Sequence, residues 1–279
     1  MTDSRGTRSP TPEAVATHYG SGYEANRLAQ GTSQLEHERC RELLGRFLPA
    51  ALATVYDIGG GPGGYACWLA QKGYDVRLID ITPLHVELAR QASSRQPQAP
   101  VATMEVGDAR ALSWGDKTAD AVLLFGPLYH LTDRADRVQA LREARRVLRA
   151  GGVLLAAAIS RFASALDGLA RGFLKDPNFD RIVFRDLTDG QHRNPTGRPE
   201  YFMDTFFHHP DELRAEFADA GFAMAKIYGV EGPGWLLSDF DAWWQDGPCR
   251  ERLLHLARTL EMEPSVLGMS AHLMAVART

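Results

Sequence analysis

Val55-Tyr56-Asp57-Ile58-Gly59-Gly60-Gly61-Pro62-Gly63-Gly64 reads as a short buried strand running straight into a glycine turn, with a helix over residues 65–72 behind it. Glycines at 59, 61 and 63 let the chain turn tightly and let a bulky ligand lie against bare backbone. The free N–H groups of the following helix point at that ligand. Such a unit places a nucleotide-type cofactor at the carboxyl end of a first strand. Gly59, Gly61 and Gly64 also satisfy the dinucleotide-binding spacing, so the glycines alone do not choose the cofactor.

Outward from this turn the chain alternates strands and helices. Asp75-Val76-Arg77-Leu78-Ile79-Asp80 is a second strand ending in an acid, and Thr82-Pro83 opens a helix as N-cap and first-turn residue. A carboxylate at Asp80 can accept both ribose hydroxyls of a bound adenosine. A Gln-, Pro- and Ser-rich linker over 93–100 leads to a third strand, 101–106, and then Gly107-Asp108-Ala109. A fourth strand, 119–125, ends in Gly126-Pro127-Leu128-Tyr129-His130-Leu131. A helix over 134–149, Ala150-Gly151-Gly152 and a fifth strand, 153–159, follow. Crossovers of this length imply a parallel, right-handed, doubly wound α/β sheet.

Asp57 stands two residues before the first glycine, where dinucleotide folds usually carry an apolar residue, and the run fits D/E-x-G-x-G-x-G. Together with Asp80, Asp108 and the order strand, Gly-Pro-Leu-Tyr-His-Leu, helix, Arg-Val-Leu-Arg-Ala-Gly-Gly, strand, residues 55–158 resemble the class I S-adenosylmethionine (SAM) methyltransferase superfamily. The resemblance implies a Rossmann-like seven-stranded sheet in the order 3-2-1-4-5-7-6 with strand 7 antiparallel. SAM is then the cofactor and S-adenosylhomocysteine the product. It implies a cofactor site of Asp57, Gly59, Gly61 and Gly63, the ribose acid Asp80 with Ile81, Asp108 on the adenine amino group, the Ala109 N–H on the ring, and Phe125 and Gly126 at the fourth strand's end. It also implies a lid ahead of the first strand. There Arg27 pairs with the methionine carboxylate, Tyr19 covers the sulfonium and Tyr23 faces the acceptor.

Residues 1–11 are polar and expected to be a disordered tail, 12–50 the helical lid, and 51–279 the SAM-binding domain. Within it, 160–207 departs from the bare fold. A helix is expected over 161–174, then a polar, proline-punctuated segment; an insert of this size beside the active edge is expected to form a substrate cap. His192, Arg193 and Tyr201 are its polar members expected to face the acceptor, with Arg193 suited to an acidic group. Tyr129 and His130, at the end of the fourth strand, are the catalytic candidates. The imidazole titrates near neutrality and can take a proton from an acceptor O–H or N–H. His208 and His209 are not expected to share a metal, since neighbours on a strand point to opposite faces and His209-Pro210-Asp211-Glu212 reads as a helix start. A sixth strand is expected over 222–230 and a last one over 272–277.

Bulk properties set outer bounds. The formal net charge is −4 and three cysteines are scattered without a metal or disulfide pattern. These suggest a reducing, cytoplasmic protein, with no nucleic-acid, membrane or metal partner, acting as a monomer or homodimer. The expected activity is in-line methyl transfer to a small molecule. An NAD(P) oxidoreductase, a SAM-binding protein without transfer activity and a nucleic-acid methyltransferase are the alternatives. The acceptor, and whether it presents oxygen, nitrogen or carbon, stay open.

Overall fold

Val55, Tyr56 and Ile58 are buried in β1 (Thr54–Ile58), the strand around which the sheet is built in the computed structural model, which describes residues 30–279. The lid residues Tyr19, Tyr23 and Arg27 and the expected tail lie outside the described residues. Ahead of β1, α1 (Ser33–Phe47) buries Leu35, Cys40, Leu43 and Leu44 along one face. After it come α2 (Gly64–Gln71), β2 (Asp75–Asp80), α3 (Pro83–Ser94), β3 (Thr103–Val106), β4 (Ala119–Leu124), α4 (Pro127–His130), α5 (Arg134–Val147) and β5 (Leu148–Ser160).

β1 runs parallel to β2 and β4, β2 to β3, and β4 to β5. Because successive strand residues point to opposite faces, Val55 and Leu123 join α1 and α2 in one core. Tyr56 and Leu124 join Val138 and Leu141 of α5 in the other. A parallel sheet needs both faces covered, and the helices cover both.

The insertion after β5 holds α6 (Ala163–Arg171), α7 (Pro177–Asp189), β6 (Gln191–His192) and β7 (Thr205–His208). The expected helix over 161–174 is shorter because Gly172, at φ 77°, ends it. The expected polar segment contains a full helix. Asp176 caps α7 by accepting from the Asn178 N–H, Pro177 opens it, and Gly190 closes it at φ 73°. Phe179, Ile182, Val183 and Asp186 form its buried face, a 3–4 spacing obscured in the sequence by the charged residues between them.

The chain leaves the cap through α8 (Pro210–Asp219), capped by His209, into β8 (Ala225–Gly229). Then α9 (Phe240–Gln245) and α10 (Gly247–Leu260) precede β9 (His272–Arg278). β9 is antiparallel to both β5 and β8. The main order is therefore β3-β2-β1-β4-β5-β9-β8, the expected 3-2-1-4-5-7-6 once the cap strands are set aside. β5 starts at Leu148, earlier than its apolar run suggests, and β8 is shorter than the expected sixth strand, with Phe222 packed in the core before it.

One pairing positions the site. β7 runs parallel to the end of β5, Phe207 opposite Ile159 and His208 opposite Ser160. The other edge of Ile159 is occupied by His272 of β9. A strand has two edges, so β7 lies on the β4 side, in line beyond the end of β4. The cap thus roofs the carboxyl end of β4. Among the described residues, no helix is long and apolar enough to cross a membrane.

Candidate functional site

The glycine turn after β1 is wound as the residue types require. Gly59, Gly61 and Gly63 have φ of 75°, 55° and 85°, a region where side chains with a Cβ are strained. A Cβ on Gly59 would sit 2.6 Å from Pro127 Cδ, so the turn is pressed against the start of α4. A Cβ on Gly60 would lie 2.8 Å from Asp57 Oδ2, which makes Gly60, not singled out by the repeat, the residue that lets backbone close over that carboxylate. Gly61 faces open space.

Asp57 is 1% exposed, and neither carboxylate oxygen has a hydrogen-bond partner among the described residues. Burial, with the neighbouring Asp80 charge, pushes this carboxyl up to about 7; the Ala66 backbone N–H nearby, short of a hydrogen bond of ordinary geometry, opposes this only weakly. Asp80, at the end of β2, is already tied into the turn. Its Oδ2 accepts from the Gly61 N–H at 2.9 Å, and its Oδ1 accepts from the Thr82 N–H at 2.8 Å and faces His85 Nδ1 at 3.3 Å. Each oxygen has two lone pairs, so acceptor capacity remains toward a diol. Thr82 caps α3 by position alone, because its side chain makes no capping bond. Ile81 follows Asp80 in the same turn.

Asp108 lies just past β3, bridged to Ala111. Although burial opposes it, Arg110 holds its carboxyl below the usual range, through contacts of 2.6–3.1 Å. Arg110 also reaches Asp136 at 2.9 Å. This guanidinium clamp was missed in the sequence because nothing in the spacing links residue 110 to 136. Ala109 is buried beneath the turn.

At the end of β4, Phe125 packs edge-on against Tyr65, ring centroids 5.4 Å apart. Gly126 then takes φ 126° and α4 begins, bringing Tyr129 and His130 together with rings 4.7 Å apart. Tyr129 packs with Ile159, Phe202 and Phe207 under the cap. The predicted cap residues divide. His192 is 1% exposed, stacks on Phe207, and engages Asp186 Oδ2 at 2.8 Å and the Tyr201 carbonyl at 2.7 Å. Tyr201 packs against Phe173 and Phe179, its hydroxyl donating to Asp176. Both side chains pack into the cap's own core, where the expectation from sequence had them on its acceptor side. A polar residue in a loop-like stretch reads as exposed until the helix that buries it is known. Arg193 is half-buried and donates to the His192 and Thr205 carbonyls and to Gln191. His208 is buried against Glu216, and burial pushes its imidazole below the usual range.

An unpaired buried carboxylate beside a glycine cradle, a second carboxylate bound to the same turn, and a third after β3 fit a ligand with an ammonium group, a ribose and a purine. Residues 56–156 match the family described as "Methyltransferase domain". The ubiquinone/menaquinone biosynthesis C-methyltransferase UbiE of Acidiphilium cryptum is 34% identical over 126 residues, 45% of this chain and 49% of that protein. The malonyl-[acyl-carrier protein] O-methyltransferase of Enterobacter lignolyticus is 26% identical over 231 residues, covering 78% and 79%. The chain spans about half the length of the first curated relatives it matches. Among solved structures, the [4+2]-cyclase SpnF superposes with a TM-score of 0.62 at 16% identity over 98% of both chains. A SAM-dependent methyltransferase from Methanosarcina mazei superposes with a TM-score of 0.55 at 18% identity over 85% of this chain and 96% of that one. These likenesses concern the fold.

Proposed function

We propose, from the match of residues 56–156 to the methyltransferase-domain family, that the chain is a class I SAM-dependent methyltransferase and transfers a methyl group from SAM to a small-molecule acceptor. The observation that carries this reading is the orphaned Asp57 carboxylate under the glycine turn. Charge burial of that kind is costly unless a cation arrives, and an amino-acid ammonium is such a cation. Asp80 would hold the ribose, Asp108 and Ala109 the adenine, and Ile81, Phe125 and Gly126 would wall the cofactor. Arg27 and Tyr19 are proposed to cover it. When bound, SAM supplies a methyl carbon already activated by its sulfonium.

What the chain adds is placement and a proton acceptor. The cap strand β7 and Tyr129 close the carboxyl end of β4, which excludes water and holds an acceptor in line. His130 is proposed to receive the acceptor's proton, Tyr129 to orient the acceptor, and Arg193, with Tyr23, to line its path. The net charge of −4 and three free cysteines support a cytoplasmic enzyme acting on small molecules rather than nucleic acid.

Calorimetry with SAM, S-adenosylhomocysteine and NADPH in parallel tests the cofactor. Binding of both SAM species with no NADPH signal is expected; NADPH binding alone would replace this reading by an oxidoreductase. A second reading is a SAM-binding protein without methyl transfer, since one fold hosts different chemistries, as the superposition on a [4+2]-cyclase illustrates. SAM binding without S-adenosylhomocysteine release across a panel of phenols, amines and carboxylic acids would favour it.

Two variants locate the roles. Asp80→Ala is expected to weaken S-adenosylhomocysteine binding by about 10- to 100-fold, the worth of charge-assisted hydrogen bonds, with an unchanged circular dichroism spectrum; unaltered affinity would remove the ribose from this carboxylate. His130→Ala is expected to lower turnover by about 100-fold while leaving cofactor affinity within about threefold. Full turnover by that variant would sink the base role.

A further inference from the structure

Glu36 of α1, Glu231 just after β8 and His272 at the start of β9 come from three separate elements, yet one ligand atom from each lies within 4.8 Å of the others. His272 Nδ1 is 2.5 Å from Glu231 Oε1 and 3.8 Å from Glu36 Oε2. Glu231 is 2% exposed and Glu36 9% exposed. None of the three takes part in the site described above.

The cluster is held by partners outside it. Arg39 Nε donates to the Val230 carbonyl at 3.1 Å, and the same guanidinium pairs with Glu42 and Glu261. This locks α1 against the end of β8. Residues three apart share a helix face, so Glu36 is delivered to the residue after Val230. Ser270 Oγ donates to Glu231 Oε2 at 2.7 Å and accepts from the Glu231 and Gly232 N–H groups. The His272 N–H also donates to Oε2, at 3.0 Å. The second oxygen of Glu231 is thereby fixed, and the first is aimed at the imidazole and at Glu36.

The cluster lies at the functional edge of the sheet. His272 sits opposite Ile159 near the end of β5. By strand alternation it shares a face with Met274 and Val276, the face whose core includes Val55, Leu123 and Phe125, and on which Asp57 lies.

We propose that Glu36, Glu231 and His272 form a divalent-metal site. Two carboxylates and an imidazole are the N/O donor set suited to Zn²⁺ or Mn²⁺. With the ring neutral, the donor set's own charge is −2, which a divalent cation matches. On binding, the hydrogen shared by Nδ1 and Glu231 Oε1 leaves to solvent as a proton, the Nδ1 lone pair and Oε1 take the cation, and the neutral ring carries its one hydrogen on Nε2. Ser270 acts as the outer group that orients Glu231. Three protein ligands leave coordination positions open, so the site would take an oxygen or nitrogen of a molecule bound at this edge.

The test uses the full-length protein after dialysis against chelator. Mn²⁺ is titrated by electron paramagnetic resonance and then displaced with Zn²⁺; Mn²⁺ is chosen first because it is not drawn to the cysteine thiols. One Mn²⁺ per chain is expected, displaced by Zn²⁺. Glu231→Gln and His272→Gln are each expected to weaken it by more than about 100-fold, and Ser270→Ala by about 10-fold as an outer-shell change. Glu36→Gln, on a helix rather than a buried loop, serves if those variants do not fold. Failure of the wild-type protein to bind either metal stoichiometrically, or equal binding by folded variants, overturns the proposal. Calorimetry of the same samples with S-adenosylhomocysteine reports separately on the cofactor reading, so the two fail independently.

Discussion

Replacing Asp57 by Asn is expected to stabilise the ligand-free protein by about 2–4 kcal/mol near pH 8 while weakening S-adenosylhomocysteine binding at least about tenfold. The opposed signs follow from one carboxylate. In the unfolded chain it ionises near 3.8, whereas in the folded chain burial and the Asp80 charge move it to about 7. Between those values the folded protein binds a proton that the unfolded chain does not. Stability therefore falls as pH rises through this window and levels off above it. The gap of about three units corresponds to about 4 kcal/mol; an unsatisfied amide in its place returns part of that. Asn cannot attract an ammonium, so the ligand loses what the fold gains. Urea unfolding of both proteins from about pH 4 to 8, with calorimetry near pH 8, checks this. Parallel stability curves would mean that Asp57 is ionised without cost and that its role is misassigned. The same linkage predicts that ligand binding near pH 6 releases a proton, visible as a dependence of the binding enthalpy on buffer.

Arg137→Met is expected to cost about 3–5 kcal/mol, since it strips a buried carboxylate of its buried guanidinium partner. Arg137 of α5 is 2% exposed and Glu216 of α8 is 1% exposed, joined at 2.7 Å. Burial works against the Glu216 charge, yet hydrogen bonds from His208 and the Arg137 guanidinium hold it down to about 2. The guanidinium also donates to the Leu131 and Thr132 carbonyls, at 2.9 and 3.0 Å, the chain immediately after His130. It thus ties the candidate catalytic turn to the helix that follows the cap. The double variant Arg137→Met, Glu216→Leu should recover most of the stability, because apolar residues of similar size replace buried ion pairs with little loss. Denaturant midpoints decide it; a single-variant loss below about 1 kcal/mol would show that water already reaches the pair.

The parts legible in the sequence are those in which a residue type dictates its own conformation. The left-handed glycines at 59, 61 and 63, the proline starts of α3 and α8, and the alternation of apolar runs with crossovers each state a local geometry. Those crossovers implied a parallel, right-handed sheet, and the strand order came from the family resemblance. The cap was legible as an insertion but not as a structure. The Asp176-Pro177 start and Gly190 stop of α7 were present, yet Arg181, Arg185 and Asp186 made its apolar face hard to see. His192 and Tyr201 were consequently expected to face an acceptor, and their burial in the cap's core could not be foreseen.

The sequence by itself determined where the glycine turn stands and which carboxylates lie at the neighbouring strand ends, because those positions lie within a few residues of strand ends whose backbone is locally dictated. Tertiary structure alone decided what surrounds them. It buried Asp57 beside Asp80, set Asp80 against His85, closed Arg110 over Asp108, and placed β7 above β4. It also brought Glu36, Glu231 and His272 together from positions up to 236 residues apart. Contacts of that kind depend on which faces the helices and strands bury against one another, and no local residue preference encodes them.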